Sequence, residues 1–443
     1  MRSQPRRAHA LFPYASDLKT KVYQEEILVV LSEAVDIPAG EQKDEQAGKQ
    51  LVPVYALEAG IYTVPSTSTA LVYISKVDTT GLASSSGPSP ARALSAAFVS
   101  HHLEQRPHGV ARVRVHIFAK AQGQYLFPGS VDNKGKRVAD DKALMRWWKT
   151  TVSRAVAPSA AAKDVKLFYL IPGLQYLESL PFVPTDFSPD APKWTYGHPY
   201  NSLSSPLSTA KDGSYSLNDL IPAFPDDPKS RFIMSLTSSP IPSAGEEGDY
   251  DDVMNSLAHA PLVSHASSGA PTWRREEVER EREKERKRMV DGVLGGADEF
   301  WERMAWRQEC CSGVLVGFFV IAYDAPEPQA APAEITTVPG SLPHSVFVRV
   351  WSQIHNCDYT ESALPKLAPA ITKWSTDLAT LTRSEGARDS SDFLESLIET
   401  HVQTAFEVQN AALPESKKRP AQEEPPKVNV LAVKKKKKPA ANA

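Results

Sequence analysis

The chain has 443 residues, of which 41% are hydrophobic and 23% charged, and its formal net charge is −3. That length supports a real core, and the composition is that of an ordinary globular protein rather than a disordered or collagen-like chain. The near balance of charge excludes a general polyanion binder, and three cysteines (Cys310, Cys311 and Cys357) exclude a disulfide framework and suit a reduced, intracellular setting.

Residues 1–14 carry arginines but no apolar signal core, and residues 1–20 are expected to be a flexible leader. Residues 24–35 form a short apolar stretch, helix or strand. Residues 56–64 and 71–77 read as strands, the second (LVYISKV) being rich in β-branched and aromatic residues. Residues 89–103 are helix-like. Residues 113–118 alternate apolar and basic, which predicts a strand with one wet face. Residues 142–156 read as a helix carrying Trp147 and Trp148, and residues 166–171 as a strand closed by Pro172-Gly173. Interleaved strands and helices predict a mixed α/β (α+β) fold with a central mixed sheet.

The Ser-, Pro-, Gly- and Ala-rich stretch 240–272 reads as a mobile insertion. In WRREEVEREREKERKR, residues 273–288, opposite charges recur at i,i+4, each pair contributing roughly 0.2–0.5 kcal/mol to a helix. Its acids nearly cancel its bases, so a solvated charged helix over about 273–290 is expected rather than a nucleic-acid contact, and no sequence-specific DNA binding is expected. Residues 300–308 are amphipathic. The apolar run 313–323 is shorter than the ~20 residues that span a bilayer and reads as a buried strand, so no membrane association is expected. Residues 345–351 are a further strand candidate, and 364–381 and 392–409 are expected helices. Beyond residue 413 order is expected to fail. The tail 414–443 carries KKRP at 417–420 and five lysines at 434–438, spaced as a nuclear import signal would be. A plain solubilising tail is the alternative.

Several residues carry chemistry. Lys120, Lys134, Lys136 and Arg137 surround the Gly129 and Gly135 turns, and Arg92 lies in SPARAL. They form either a phosphate site or a basic surface loop. Trp147, Trp148 and Tyr125 can line an apolar passage or fill the core, and Trp194, Tyr196 and His198 are weaker wall candidates. Asp226 and Asp227 precede Pro228. A carboxylate pair there can accept a proton, or Asp227 can cap a helix that begins at Pro228. Asp78 is a third acidic candidate, equally able to hold a turn. No Cys/His cluster has zinc-site spacing, so no metal is expected.

Three segments stand together: SKVDTTG at 75–81, FAKAQGQYLFPGSVDNKGKRVADDKALMRWW at 118–148 and LIPAFPDDPKSRF at 220–232. With FWERMAWRQE at 300–309 and the lysine-rich tail, their order resembles the fungal histone acetyltransferases of the regulator-of-Ty-transposition type, distant structural relatives of CBP-type enzymes. The resemblance covers most of the chain and implies a single acetyltransferase domain over 21–413. It implies a nuclear enzyme that transfers acetyl from acetyl-CoA to histone H3 within H3–H4. The targets would be a core lysine beside the nucleosomal DNA entry point and tail lysines. It implies NAP-type and anti-silencing-function histone chaperones as partners, and a role in replication-coupled chromatin assembly and genome stability.

The resemblance assigns Val77, Asp78, Thr79, Ser89, Pro90, Ala91, Arg92, Phe118, Gln122, Arg137, Val138, Ala139 and Trp147 to the acetyl-CoA site, with Lys120 and Tyr125 beside them. Adjacent helical residues point about 100° apart, so Trp148 is assigned to the lysine channel. The resemblance places Asp226 and Asp227 at the catalytic centre with the second as proton acceptor, and Asp78 is the third catalytic candidate. Lys229 matches an autoacetylated lysine. The loop after Gly81 is longer than the family's, and Arg137 stands where some relatives carry histidine. A ternary-complex transfer without covalent enzyme intermediate is expected. A catalytically weak histone- or chaperone-binding scaffold of the same fold is the alternative. A small-molecule acyltransferase would leave the basic tail without a role.

Overall fold

Period-two alternation divides the strand Thr69–Thr79 (β4) between two cores. Ala70, Val72 and Ile74 enter a core on one face of a sheet, while Leu71 and Tyr73 enter another on the opposite face. The remaining strands are Arg6–Arg7 (β1), Tyr23–Ile37 (β2), Gly48–Val64 (β3), Arg112–Ala119 (β5), Val165–Leu170 (β6), Trp194–Tyr196 (β7) and Gly317–Asp324 (β8). They form one mixed sheet in the order β1-β2-β3-β4-β5-β8-β6-β7, in which only β4/β5 and β6/β7 are parallel. The architecture is mixed α/β, as expected.

The computed structural model describes residues 1–8, 11, 21–37, 48–83, 90–106, 109–156, 165–185, 191–200, 221–238, 297–307, 310, 313–325, 335 and 337–385. The expected insertion at 240–272, the charged helix at 273–290, the helix at 392–409 and the tail at 414–443 lie outside the described residues.

Helices Pro90–Glu104 (α1) and Asp141–Val156 (α2) cover one face. Parallel strands need a crossover, and α1 supplies it between β4 and β5. Phe98, Val99, Met145 and Val152 pack there against Val115, Phe319 and Ile321. On the same side lies Tyr176–Ser179 (α3) in the 171–183 turns, where Ile171 and Val183 join that core and Ser179 Oγ meets the Tyr169 hydroxyl at 3.1 Å. On the other face lie Pro228–Ser238 (α4) and Ala297–Met304 (α5). Phe232, Phe300 and Trp301 pack with Phe318 of β8. Helices His344–His355 (α6) and Leu364–Ser384 (α7) pack on β2 and β3, where Leu28, Val52 and Ala56 meet Phe347, Ile354, Leu367 and Ile371.

Three expectations are corrected. Residues 1–8 are not a loose leader: Arg6–Arg7 pairs with β2, and Arg2 forks onto both oxygens of Glu25 at 2.8 Å. Residues 345–351 are helical. Phe347, Val350 and Ile354 are buried at helical spacing, and this tertiary packing overrides the β-like run VFVRVW. The expected wet face of β5 is covered. Arg114 and His116 are each 4% exposed. Arg114 donates Nη1 to the Tyr323 carbonyl at 2.8 Å and Nη2 to Asp324 Oδ1 at 2.7 Å. His116 Nδ1 lies 3.3 Å from the Tyr200 hydroxyl, and its ring packs against Phe224. The run 313–323, by contrast, is the expected buried strand, β8.

Burial, reinforced by the Lys229 and Arg114 cations, holds the His116 pKa well below the ordinary histidine value. The folded protein therefore keeps this ring neutral where the unfolded chain takes up a proton, below about pH 6.5. Stability from this site is complete above that pH and is lost as pH falls. The melting temperature is expected to decrease between pH 7 and pH 5, and with a shallower slope in His116→Gln. Parallel slopes measured by differential scanning fluorimetry would refute the assignment.

Candidate active site

β4 and β5 are paired from Thr69/Arg112 to Ile74/Ile117 and no further. A bulge starts the separation. Glu58 of β3 pairs with Lys76 and Ala59 with Ile74, so Ser75 is an extra residue on β4. Its hydroxyl donates to the Glu58 carbonyl at 3.1 Å and to Glu58 Oε1 at 2.8 Å. Beyond the last pair, residues 75–79 and 118–122 line opposite parts of one cavity of about 1150 Å³. This is above the roughly 300–1,000 Å³ of ordinary small-molecule sites, and it lies at the carboxyl ends of parallel strands, a common place for ligands.

The loop over the cavity hangs on Asp78. Its Oδ2 accepts the backbone N–H groups of Tyr125 at 2.7 Å, Leu126 at 2.9 Å and Phe127 at 3.2 Å. Its Oδ1 accepts the Thr79 N–H and Lys136 Nζ, each at 2.8 Å. With five donors on one buried carboxylate, Asp78 is an anchor rather than a free acid, which corrects the catalytic expectation for it. The same network corrects Lys136 as a phosphate cation, since its side chain is 4% exposed and also donates to Ser130 Oγ at 2.6 Å.

Other cations remain on the cavity: Lys120, Lys134 and Arg137, with Arg92 at the start of α1. Arg92 Nε and Arg154 Nη1 are buried without hydrogen-bond partners among the described residues. Burial, with the Arg154 guanidinium nearby, lowers the Arg92 pKa. Unpaired guanidinium donors beside a cavity fit an anionic ligand. Val77, Thr79, Pro90, Ala91, Phe118, Gln122, Tyr125, Val138 and Ala139 line the same space, whereas Ser89 lies outside the described residues. The cavity thus combines apolar and aromatic lining with several cations, which suits a ligand that joins an apolar arm to anionic groups.

Trp147 and Trp148, adjacent on α2, meet edge to face with centroids 4.8 Å apart, and both line the cavity. Trp148 is also core, at 4% exposure. Tyr125 donates its hydroxyl to the Lys120 carbonyl. Burial, with Asp78 nearby, raises its phenol pKa, so the phenol stays protonated. Trp194, expected as a wall, sits elsewhere: it donates to Ser153 Oγ at 3.0 Å and packs edge-on against Phe319. Tyr196 packs against Tyr169, and His198 lies beside Tyr200 and Trp301, so neither reaches the cavity.

The two aspartates before α4 face different environments. Pro225 and Asp226 occupy a turn closed by the Asp227 N–H to the Phe224 carbonyl at 3.4 Å. Asp226 has φ 57°, a left-handed conformation that aspartate tolerates better than most residues. Phe224 anchors the turn by stacking on Tyr73 at 4.6 Å. The Asp226 side chain is 79% exposed, lines the cavity and lies 4.0 Å from Lys76 Nζ. Asp227 is fully buried. Its Oδ1 accepts the Lys229 N–H at 3.0 Å, capping α4, and its Oδ2 accepts Lys229 Nζ at 2.5 Å. Lys229 also lies over the Phe318 ring at 4.7 Å. Among the described residues the exposed carboxylate on the cavity is therefore Asp226, Asp78 being buried there, and Asp227 is committed to the cap and the ion pair.

Lys76, Arg146, Thr150 and Arg231 also line the cavity and were absent from the expected set. Lys76 lies within SKVDTTG and Arg231 one helical turn after Pro228, so proximity to the motifs was their only sequence signal. Among the described residues no group of three or more His, Cys, Asp or Glu is placed to hold a metal.

Residues 100–421 match the family of the histone acetyltransferase KAT11-type domain. The chain belongs to this family. The KAT11-type segment includes both tryptophans and Asp226, and it begins after Asp78. Among similar proteins is the histone acetyltransferase rtt109 of Aspergillus flavus, 29% identical over 307 residues, covering 64% of this chain and 47% of that protein. The histone acetyltransferase rtt109 of Schizosaccharomyces pombe is 27% identical over 299 residues, covering 63% and 61%. The chain thus spans about half the length of the first relative and less than two thirds of the second. The crystal structure of Rtt109 from Aspergillus fumigatus shares the fold, with a TM-score of 0.57 at 23% identity, covering 86% of this chain and 91% of that one.

Removing the Asp78 charge leaves Lys136 buried without its counter-ion, which costs roughly 3–5 kcal/mol for pairs of this kind. Asp78→Asn is expected to lower the denaturant midpoint strongly. Lys136→Met in the same chain should restore part of the loss. Additive losses in the double-mutant cycle would show that the two do not act as a pair.

Proposed function

We propose that the chain is a lysine acetyltransferase that moves the acetyl group of acetyl-CoA to histone H3 within H3–H4. The observation that carries this reading is the single cavity joining phosphate-type cations, a tryptophan pair and one exposed carboxylate. Family membership supports the reaction class, and relatives with the printed name histone acetyltransferase support the substrate class.

Acetyl-CoA supplies an acetyl group activated as a thioester. Arg92, Arg137, Lys120 and Lys134 take its phosphates. Val77, Thr79, Phe118, Gln122, Val138, Ala139 and Trp147 hold its arm, and the Asp78 anchor keeps their loop in place. Trp148, with the Tyr125 ring, walls the passage for the incoming lysine and strips its water. A free lysine has a pKa of about 10.4, so its proton must leave before the amine attacks. Asp226 attracts the ammonium and accepts that proton, directly or through a water. The new C–N bond forms as the C–S bond breaks, and coenzyme A leaves as the thiol or thiolate. No enzyme nucleophile takes part.

Lys229 is proposed as a site of autoacetylation, which would remove an ammonium whose burial is costly. The finer assignments follow the resemblance. They are the H3 core lysine at the nucleosomal DNA entry point and tail lysines as targets, NAP-type and anti-silencing-function chaperones as partners, nuclear localisation, and service in replication-coupled assembly and genome stability.

Mass spectrometry of H3–H4 after incubation with acetyl-CoA, with and without each chaperone, tests the reading. Acetylated H3 that rises with a chaperone supports it. H3–H4 binding without acetylation would favour the scaffold alternative. Within the enzyme, Asp226→Asn is expected to lower kcat by about 10²-fold, the lower range for a lost general base, with acetyl-CoA affinity nearly unchanged. Asp227→Asn should instead lower the melting temperature by several degrees, because Lys229 loses its buried partner. Lost turnover with an unchanged melting temperature in Asp227→Asn would return the base to Asp227.

A further inference from the structure

The turn of residues 133–136 leads into the cavity wall, and it is secured by one buried amide. Asn133 is 4% exposed and does not itself line the cavity. Its Nδ2 donates to the Thr80 carbonyl at 2.8 Å and to the Tyr359 carbonyl at 2.7 Å. Its Oδ1 accepts the Glu361 N–H at 2.8 Å. One side chain therefore joins the segment after β4, the 133–136 turn and the segment leading into α7. A parallel tie lies at the surface, where Glu361 Oε1 accepts the Lys134 N–H at 3.1 Å. The Tyr359 N–H also donates to the Pro128 carbonyl at 2.9 Å.

These ties hold backbones in direct contact. A Cβ at Gly81 would fall 2.3 Å from the Lys136 nitrogen, and one at Gly135 would fall 2.1 Å from the Gly81 oxygen. Gly81 and residues 134–137, Arg137 included, line the cavity. The segment 359–361 belongs to the C-terminal unit: Tyr359 is fully buried among Phe127, Ile354 and Leu367. The cavity wall is thus bonded to the segment between α6 and α7, a helix pair none of whose described residues lines the cavity.

We propose that Asn133 is a positioning residue for acetyl-CoA, through which the C-terminal helix pair sets the shape of the cofactor wall. This rests on the acetyl-CoA reading of the cavity. The groups it places would hold the cofactor before and during transfer alike, so losing them raises KM and spares kcat. The Asp78–Lys136 pair holds the other side of the turn, so the loss is partial. Linkage makes the coupling reciprocal: bound acetyl-CoA should protect the 359–371 segment from exchange.

The test is steady-state kinetics of the full chain on H3–H4. Asn133→Ala is expected to raise the acetyl-CoA KM by on the order of tenfold, with kcat within about twofold and the histone KM unchanged. Glu361→Ala, a surface change that leaves the core intact, should raise it by about two- to threefold. Tyr359→Phe is the control. It removes the hydroxyl bond to the Ile354 carbonyl (2.8 Å) but keeps the carbonyl that Asn133 uses. It should lower the melting temperature and leave KM alone. Hydrogen exchange of 359–371 should slow with acetyl-CoA in the parent and not in Asn133→Ala. If Asn133→Ala does not fold, Glu361→Ala and Tyr359→Phe decide. An unchanged KM in Glu361→Ala, or a KM raised equally by Tyr359→Phe, overturns the inference in an active parent. A parent that neither binds nor uses acetyl-CoA overturns the cavity reading itself.

Discussion

Five donors converge on the carboxylate of Asp78, and the cofactor wall depends on that convergence. Three are consecutive backbone N–H groups of the 125–127 loop, and one is a buried ammonium. Hydrogen bonds to ionised groups are stronger than neutral ones, and a buried charge persists only when its lone pairs are used. The loop has no strand partner to supply its backbone bonds. Asp78 stands in for one, and so lets β4 and β5 part without leaving orphaned donors. The Ser75 bulge turns β4 away just ahead of it. The cavity is what a sheet leaves when two parallel strands stop pairing and a carboxylate takes over the bonding.

The adjacent Asp226 and Asp227 separate duties that a single side chain could not combine. Asp227, closed off by Lys229 and the α4 backbone, fixes the helix start. This rigid start, together with Phe224 stacked on Tyr73, holds Asp226 in its left-handed turn at the cavity mouth. Asp226 can then remain wet and available, because its neighbour carries the structural work. The positive φ is local strain tolerated where packing on both sides over-determines it.

Much of this was legible from residue order, and the exceptions have physical reasons. Strong periodicity marked β3, β4, β5 and both helices of the first layer, and the motif residues around 77–79, 118–122 and 137–148 do line one cavity. Local pattern failed at α6, where β-branched and aromatic residues look strand-like until Phe347, Val350 and Ile354 find a common partner surface. It failed at Arg114 and His116, whose polarity suggested solvent although a second layer covers them. It also failed to tell Asp78 from Asp226. Both are acids in short motifs, and their environments are made by residues 47 to 58 positions away for Asp78 and by Lys76 of β4 for Asp226. Burial and partners of that range are not written in any local window.

The strand order has a consequence for synthesis. β8 lies between β5 and β6, and its partners Val115 and Leu167 both precede Ile321 by more than a hundred residues. A chain emerging from the ribosome presents β5 and β6 as two open edges for the whole time needed to make that intervening length. Open edges are templates for pairing with other chains. The apolar residues of β8 that will close them arrive together in one short burst, and only afterwards do residues 359–361 reach Asn133. The nascent protein therefore passes through a long stage in which its sheet is split and its cofactor wall is incomplete. During that stage it depends on protection from its neighbours in the crowded cell more than a fold built from sequential hairpins would.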